Sequence, residues 1–114
     1  MNILTVTFSA LSDPTRLGII EQLMDQGETL AGDLVTGSGM SAPAISRHLK
    51  ILRDAGLVRT RAVGTKRYYG VRPDGLRVIA DWTLSRREFW EISLDRLETA
   101  ILLDKEIYDD RPEN

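Results

Sequence analysis

The 114-residue chain has no cysteine and a single histidine, His48. Without thiols it can form neither disulfides nor thiolate metal sites, and thiol redox chemistry is excluded as well. A lone histidine is a poor basis for a metal centre or for acid–base catalysis. No apolar run approaches the roughly 18 residues that cross a bilayer. Met1 to Leu11 also lacks the charged start and long apolar stretch of a signal peptide. A soluble, cytoplasmic protein with no membrane partner is expected. The apparatus of an enzyme is missing too: there is no nucleophile–base pair and no cluster of metal ligands, and Gly37 and Gly39 stand in a turn without a P-loop lysine. No catalytic residue, metal or cofactor is therefore assigned. The length suits one domain spanning residues 1–114 with a core that needs no staples.

A net charge of −2 would speak against a polyanionic partner if it were evenly spread, and it is not. Residues 1–40 carry one basic and five acidic side chains, a net −4, and residues 73–114 carry six basic and eleven acidic, a net −5. Between them, residues 41–72 hold eight basic side chains against Asp54 alone, a net +7. A local field of that sign attracts a polyanion even when the whole molecule is acidic.

The centre of that block is the stretch from Ser41 to Val58. Ser41 can cap a helix, and Pro43 in the first turn costs nothing because its missing N–H would be unpaired there. Ile45, Leu49 and Leu52 recur at i, i+4, i+7 as an inward stripe, while Pro43, Ser46, Arg47 and Lys50 share the opposite face. Gly56 can take the left-handed conformation that closes a helix of about 13 residues. A short capped helix with a polar, cationic face fits a DNA major groove, where hydroxyl and guanidinium groups reach base edges.

The surrounding chain supplies the context. Met1 to Leu11 is short and apolar and suits a brief helix packed on a partner surface. Asp13-Pro14 opens a core helix with Leu17, Ile20, Leu23 and Met24 at helical spacing up to Gly27. Thr29 is expected to cap a second helix, Leu30 to Val35, which Gly37-Ser38-Gly39 breaks. Residues 29–56 thus read as a helix-turn-helix. Leu57 to Ala62 alternates with period two and Lys66 to Val71 is rich in strand formers, so residues 57–72 read as a β-hairpin, or wing, around Val63-Gly64-Thr65. Arg61, Lys66 and Arg67 are expected near its tip, within reach of phosphates. From Trp82 onward, Phe89, Trp90, Leu94, Leu97, Ile101 and Ile107 recur at three- and four-residue steps. They predict one helix of about 25 residues, too long for its own domain to cover, seated on the N-terminal segment and on a second copy. Residues 109–114 read as an acidic tail. The fold class is mainly α with one β-hairpin (α+β), a winged helix-turn-helix with a long C-terminal dimerisation helix.

With these residues in hand the chain resembles winged-helix repressors of the arsenic-repressor (ArsR/SmtB) family. The likeness rests on Phe8 to Leu17, on Ser46 to Val58 and on the wing end Lys66-Arg67-Tyr68-Tyr69. Arg86 to Glu91 and Leu94 to Glu98 are similar to a metal-free branch of the family. The resemblance implies a homodimer, joined through helices within residues 1–11 and 74–108, that binds a two-fold symmetric double-stranded operator and blocks transcription. It places Pro43, Ser46, Arg47 and Lys50 in the groove and Thr65, Lys66 and Arg67 on the DNA backbone. Ser41, Arg61 and His48 join the expected DNA-binding set, His48 either on a phosphate or bonded within the fold. Leu4, Phe8, Trp82, Phe89, Trp90, Leu94, Leu97 and Ile101 are the expected dimer contacts. Many relatives release DNA on binding a metal, through cysteines in the first helix of the reading unit or His and Asp pairs on the last helix. Here Leu30 to Val35 has no cysteine, and Asp81, Glu88, Glu91, Asp95 and Glu98 have no histidine among them, so a zinc-type site cannot be assembled.

Two alternatives stay open. One is a sensor whose DNA affinity answers to a small molecule or protein at the dimer helices, an inducer of unread identity, with Trp82, Phe89 and Trp90 lining a pocket. The other is a winged-helix protein-interaction module, against which the retained +7 segment speaks.

Overall fold

The computed structural model describes residues Asn2 to Asp109, with side chains as far as Lys105. Five of the expected acidic-tail residues, 110–114, lie outside the described range, as does the side chain of Ile107. The elements in chain order are α1 (Ile3–Leu11), α2 (Pro14–Gln26), β1 (Thr29–Leu30), α3 (Ala31–Ser38), α4 (Ala42–Asp54), β2 (Val58–Val63), β3 (Lys66–Val71), α5 (Pro73–Ser85) and α6 (Arg87–Asp109). They fall into two compact units, Met1–Ala80 and Asp81–Asn114.

In the first unit, Asp13 caps α2 by accepting the Arg16 N–H at 3.1 Å, with Pro14 at the first helical position. The core gathers Ile19, Ile20 and Leu23 of α2, Leu34 of α3, Ile45, Leu49 and Leu52 of α4, then Leu57, Val58 and Tyr69. Leu17 and Met24, expected inside, are exposed, and Ile19 takes a buried place instead. The buried face of α2 is thus turned slightly from the row the spacing suggested.

The sheet has three strands in the order β1-β3-β2, all antiparallel. The hairpin matches expectation with a tighter loop: Val63 pairs with Lys66, so only Gly64 and Thr65 turn the chain, Gly64 with φ +60°. A glycine at positive φ followed by a residue at negative φ is the pattern whose twist matches that of the flanking strands. The added strand is β1, with Thr29 opposite Tyr69 and Leu30 opposite Tyr68. Thr29 is therefore not the cap of α3: its hydroxyl donates to the Gly27 carbonyl at 2.9 Å, and Leu30 stands at the cap position without a side-chain bond. Helix α3 runs past Val35 and through Gly37 to Ser38, and Gly39, at φ +70°, makes the turn into α4.

Within the first unit the start of α5 lies close on the turn after α4 at Gly75, where an added Cβ would overlap the Gly56 carbonyl oxygen and press on Leu57. The Arg72 N–H donates to the Leu57 carbonyl at 2.8 Å just before it. The end of the wing and the start of α5 are thereby tied to the turn that closes α4.

The single long helix expected from Trp82 is two helices. Ser85 donates its hydroxyl to the Trp82 carbonyl at 2.7 Å, and Arg86 N–H reaches Thr83 at 3.1 Å, a tightened turn that ends α5. Trp82 accordingly belongs to α5. Helix α6 then runs 23 residues, about 34 Å. Its apolar residues Phe89, Trp90, Leu94, Leu97 and Ile101 are exposed, with Ile92, Leu102 and Leu103 beside them.

Candidate nucleic-acid interface

Helix α4 is built as its sequence requires. Ser41 accepts the Ala44 N–H at 3.3 Å, Pro43 lies in the first turn, and Gly56 just beyond the end has φ +76°. Ile45, Leu49 and Leu52 are 1%, 3% and 0% exposed, which pins the helix so that Pro43, Ser46, Arg47 and Lys50 face outward. Burying three branched aliphatic side chains contributes about 1.5–3 kcal/mol each, enough to hold the outward face in one orientation. Lys50 donates to Asp54 one turn on at 3.0 Å. Both are largely exposed, so that pair is worth a fraction of a kcal/mol, about 0.3–0.5, and gives way readily to a phosphate.

The hairpin register sorts the wing side chains onto two faces, because cross-strand partners share a face and successive residues alternate. Arg67 shares the inner face with buried Tyr69, and with Ser46, Lys50 and Arg53 it borders a polar cleft of about 350 Å³ between α4 and β3. Arg53 was not among the residues expected to contact DNA, although it stands at i+7 from Ser46 and i+3 from Lys50 on the same helix face. That spacing was the available signal. Lys66 lies on the outer face and Thr65 in the turn, both exposed.

Two expected contacts are placed differently. Arg61 is not at the tip but in the third pair from the turn, opposite Tyr68. Its Nε donates to Glu28 Oε1 at 2.8 Å, and its guanidinium lies 4.9 Å from the centre of the Tyr68 ring. The hydrogen bond from Arg61 holds the Glu28 carboxyl below its usual range, and Glu28 raises the already high pKa of Arg61. The cause is β1, which carries Glu28 in beside the wing. His48 takes the second of its two expected roles and turns into the fold. Its Nδ1 is 3.3 Å from Arg16 Nη1 and 3.8 Å from Asp13 Oδ2.

That small network is where the Asp13-Pro14-Thr15-Arg16 stretch acts. Arg16 donates Nε to the Ala10 carbonyl at 2.6 Å and Nη2 to Ser9 at 3.4 Å. It thereby satisfies the Ala10 carbonyl, which has no partner within α1, and adds to the bonds that Ser12 makes to Ser9. The Asp13 carboxyl is held below its ordinary value, first by the Arg16 backbone N–H and then by the charges of Arg16 and His48. One arginine thus joins α1, α2 and α4.

Of the expected dimer contacts, Leu4 is half-buried and Phe8 exposed on α1, and Trp82, Phe89, Trp90, Leu94, Leu97 and Ile101 are exposed. Phe89 and Trp90 meet edge to face at 5.1 Å. In the second unit a cleft of about 240 Å³ is lined by Trp90 with Leu84 and Leu94, and neither Trp82 nor Phe89 borders it. Among the described residues no group of three His, Cys, Asp or Glu is placed to hold a metal ion, and no helix is long and apolar enough to cross a membrane.

The family model described as "Bacterial regulatory protein, arsR family" matches residues 13–60, the span from the α2 cap to the start of the wing. A helix-turn-helix-type transcriptional regulator of Mycobacterium tuberculosis is 42% identical over 72 residues, 63% of this chain and 66% of that protein. The chain thus spans just under two thirds of that relative. The transcriptional repressor SdpR of Bacillus subtilis is 36% identical over 78 residues, 68% of this chain and 86% of that one. Among solved structures, a possible transcriptional regulator for arsenical resistance superposes with a TM-score of 0.66 at 35% identity, covering 82% of this chain and 94% of that chain.

Proposed function

The chain belongs to the ArsR family of bacterial regulatory proteins, winged-helix transcriptional regulators rather than enzymes, and from that premise we propose that it is a homodimeric, sequence-specific repressor working without a metal. The observation that carries this reading is the outward face of α4. Ser46, Arg47 and Lys50 stand clear of the body on a helix locked by its buried stripe, with Arg67 of the wing beside them.

In this reading Pro43, Ser46, Arg47 and Lys50 enter the major groove, Arg47 reading a base edge. Ser41, Thr65, Lys66, Arg67 and Arg53 hold phosphates on either side. Arg61 and His48 serve the protein instead, one bracing the wing on Glu28 and the other seating α4 on Asp13 and Arg16. The exposed apolar rows of α1 and α6 supply the dimer contacts through Leu4, Phe8, Phe89, Trp90, Leu94, Leu97 and Ile101, with Trp82 from α5. Pairing two copies sets two α4 helices on half-sites about 34–36 Å apart, one turn of DNA. Metal-free action is supported by the donor set: there is no cysteine, and the one histidine is engaged by Asp13 and Arg16.

The test is selection of bound duplexes from a randomised pool. The wild type is expected to enrich a two-fold symmetric site. Arg47→Ala should relax preference at one symmetric pair of positions, at a cost of about 1–3 kcal/mol in affinity. Lys66→Ala should enrich the same site with uniformly weaker binding. A pool that stays unenriched, or an asymmetric site bound by one protomer, refutes the proposal.

A further inference from the structure

At the end of the sheet away from the Gly64-Thr65 turn, α2, β3 and α5 border a cavity of about 690 Å³, well within the size range of small-molecule sites. Its floor is apolar: Leu23 and Met24 of α2, Val71 of β3, Leu76 and Ala80 of α5. Its rim is charged, carrying Glu28, Arg59 of β2 and Arg77 of α5.

Arg59 is set for a ligand in a way the other wing arginines are not. Its guanidinium lies across Gly70, with Nε 3.5 Å and Cζ 3.7 Å from where a Cβ would stand, so a methyl there would just touch it and a longer side chain would compete with it for the same space. Arg67, Thr65 and Lys66 point to the far end of the hairpin, and Arg61 is committed to Glu28. Among the described residues the Arg59 guanidinium makes no hydrogen bond or ion pair, although it lies near enough to Glu28 for its charge to help lower the Glu28 pKa. A guanidinium with its donors unused beside an apolar hollow recognises an amphipathic anion. We propose that this cavity binds a small organic anion with an apolar, ring-sized body, its carboxylate or sulfonate on Arg59 and its body on the Leu23–Leu76 floor.

The site is joined to the wing. Arg59 and Arg61 share β2, and Glu28 both rims the cavity and holds Arg61. An anion on Arg59 therefore bears on the brace between wing and β1. If the repressor reading holds, on which this second part rests, ligand and DNA must alter each other's affinity by the same factor.

The probe is anilinonaphthalene sulfonate, titrated by fluorescence into the full-length protein without DNA, alongside the uncharged phenylnaphthylamine. Saturable binding at one site per chain is expected, weaker by about tenfold or more for the uncharged dye and for Arg59→Gln, as loss of a charge-assisted bond requires. Gly70→Leu, which fills the mouth and displaces Arg59, should abolish it. A dye affinity unchanged in Arg59→Gln and Gly70→Leu would overturn the site, placing the dye on other apolar surface. A saturating duplex of the protein's own upstream DNA is then added. A dye affinity shifted by about threefold or more supports the link to the wing, and an unshifted affinity in a protein that binds both overturns the link while leaving the site.

Discussion

Two helical glycines test the packing account because the same substitution should act in opposite directions at each. At Gly75, in the first turn of α5, an added Cβ overlaps the Gly56 carbonyl oxygen and stands 3.0 Å from the Gly56 carbonyl carbon and 3.1 Å from Leu57 Cδ2. The obstacle is backbone at the end of α4, backed by a fully buried leucine, so it cannot swing aside. Overpacking of this kind costs about 1–3 kcal/mol, against a helix-propensity gain of about 0.5–1 kcal/mol for Ala over Gly. The balance is a net loss of about 1–2 kcal/mol. With a urea slope near 2 kcal/mol per molar, the midpoint for Gly75→Ala should fall by about 0.5–1 M. At Gly18, inside α2 and exposed, nothing lies within 4 Å of the added Cβ. Only the propensity gain remains, and the midpoint for Gly18→Ala should rise by about 0.3–0.5 M. Urea unfolding followed by circular dichroism reads both. A Gly75→Ala protein as stable as the wild type, or more so, would refute the close approach of α5 to the Gly56 turn.

Other consequences can be checked separately. Leu52→Ala empties a fully buried position beneath the outward face of α4 and should cost about 2–5 kcal/mol by denaturant unfolding. Arg53→Ala should weaken binding to all sequences alike and reduce the salt slope by about 1, as loss of one phosphate contact does. A change in base preference would contradict that role. The Asp13 carboxyl titrates below its ordinary value when folded, so its contribution is full above the unfolded pKa, about 3.9, and is lost as pH falls through the lower folded value. Asp13→Asn, which can still accept the Arg16 N–H but carries no charge, should flatten that acid limb in a pH series of thermal melts, lowering stability near neutrality and leaving it little changed at the acid end.

Local chemistry was legible in the sequence, and long-range pairing was not. The α4 cap, its buried stripe and the hairpin are written in residues within a few positions of each other; cap and stripe stand where the spacing places them, and the hairpin does so with a loop one residue shorter. Strand β1 is two residues long, too short to show a period, and exists only because Tyr68 and Tyr69 lie beside it. The fates of Arg61 and His48 were decided by partners 33 and 32 residues away, Glu28 and Arg16, which no local window contains. The break at Arg86 leaves no mark in the sequence because it lacks proline and glycine: a serine hydroxyl and one tightened bond make it. Arg53 could have been found, since its helical spacing from Ser46 and Lys50 was on view, but the wing that turns this face into a cleft was not.

The central claim is that an acidic protein places a +7 segment on DNA as a dimer. It is tested most directly by titrating the purified protein against its own upstream duplex and an unrelated duplex of equal length at about 50 and 200 mM salt. The account predicts preference for the upstream duplex, two protomers per site, and an affinity that drops by about 10³–10⁵ across that interval as roughly 6–10 phosphate contacts are screened. Equal, weak binding to both duplexes with a shallow salt dependence would contradict it.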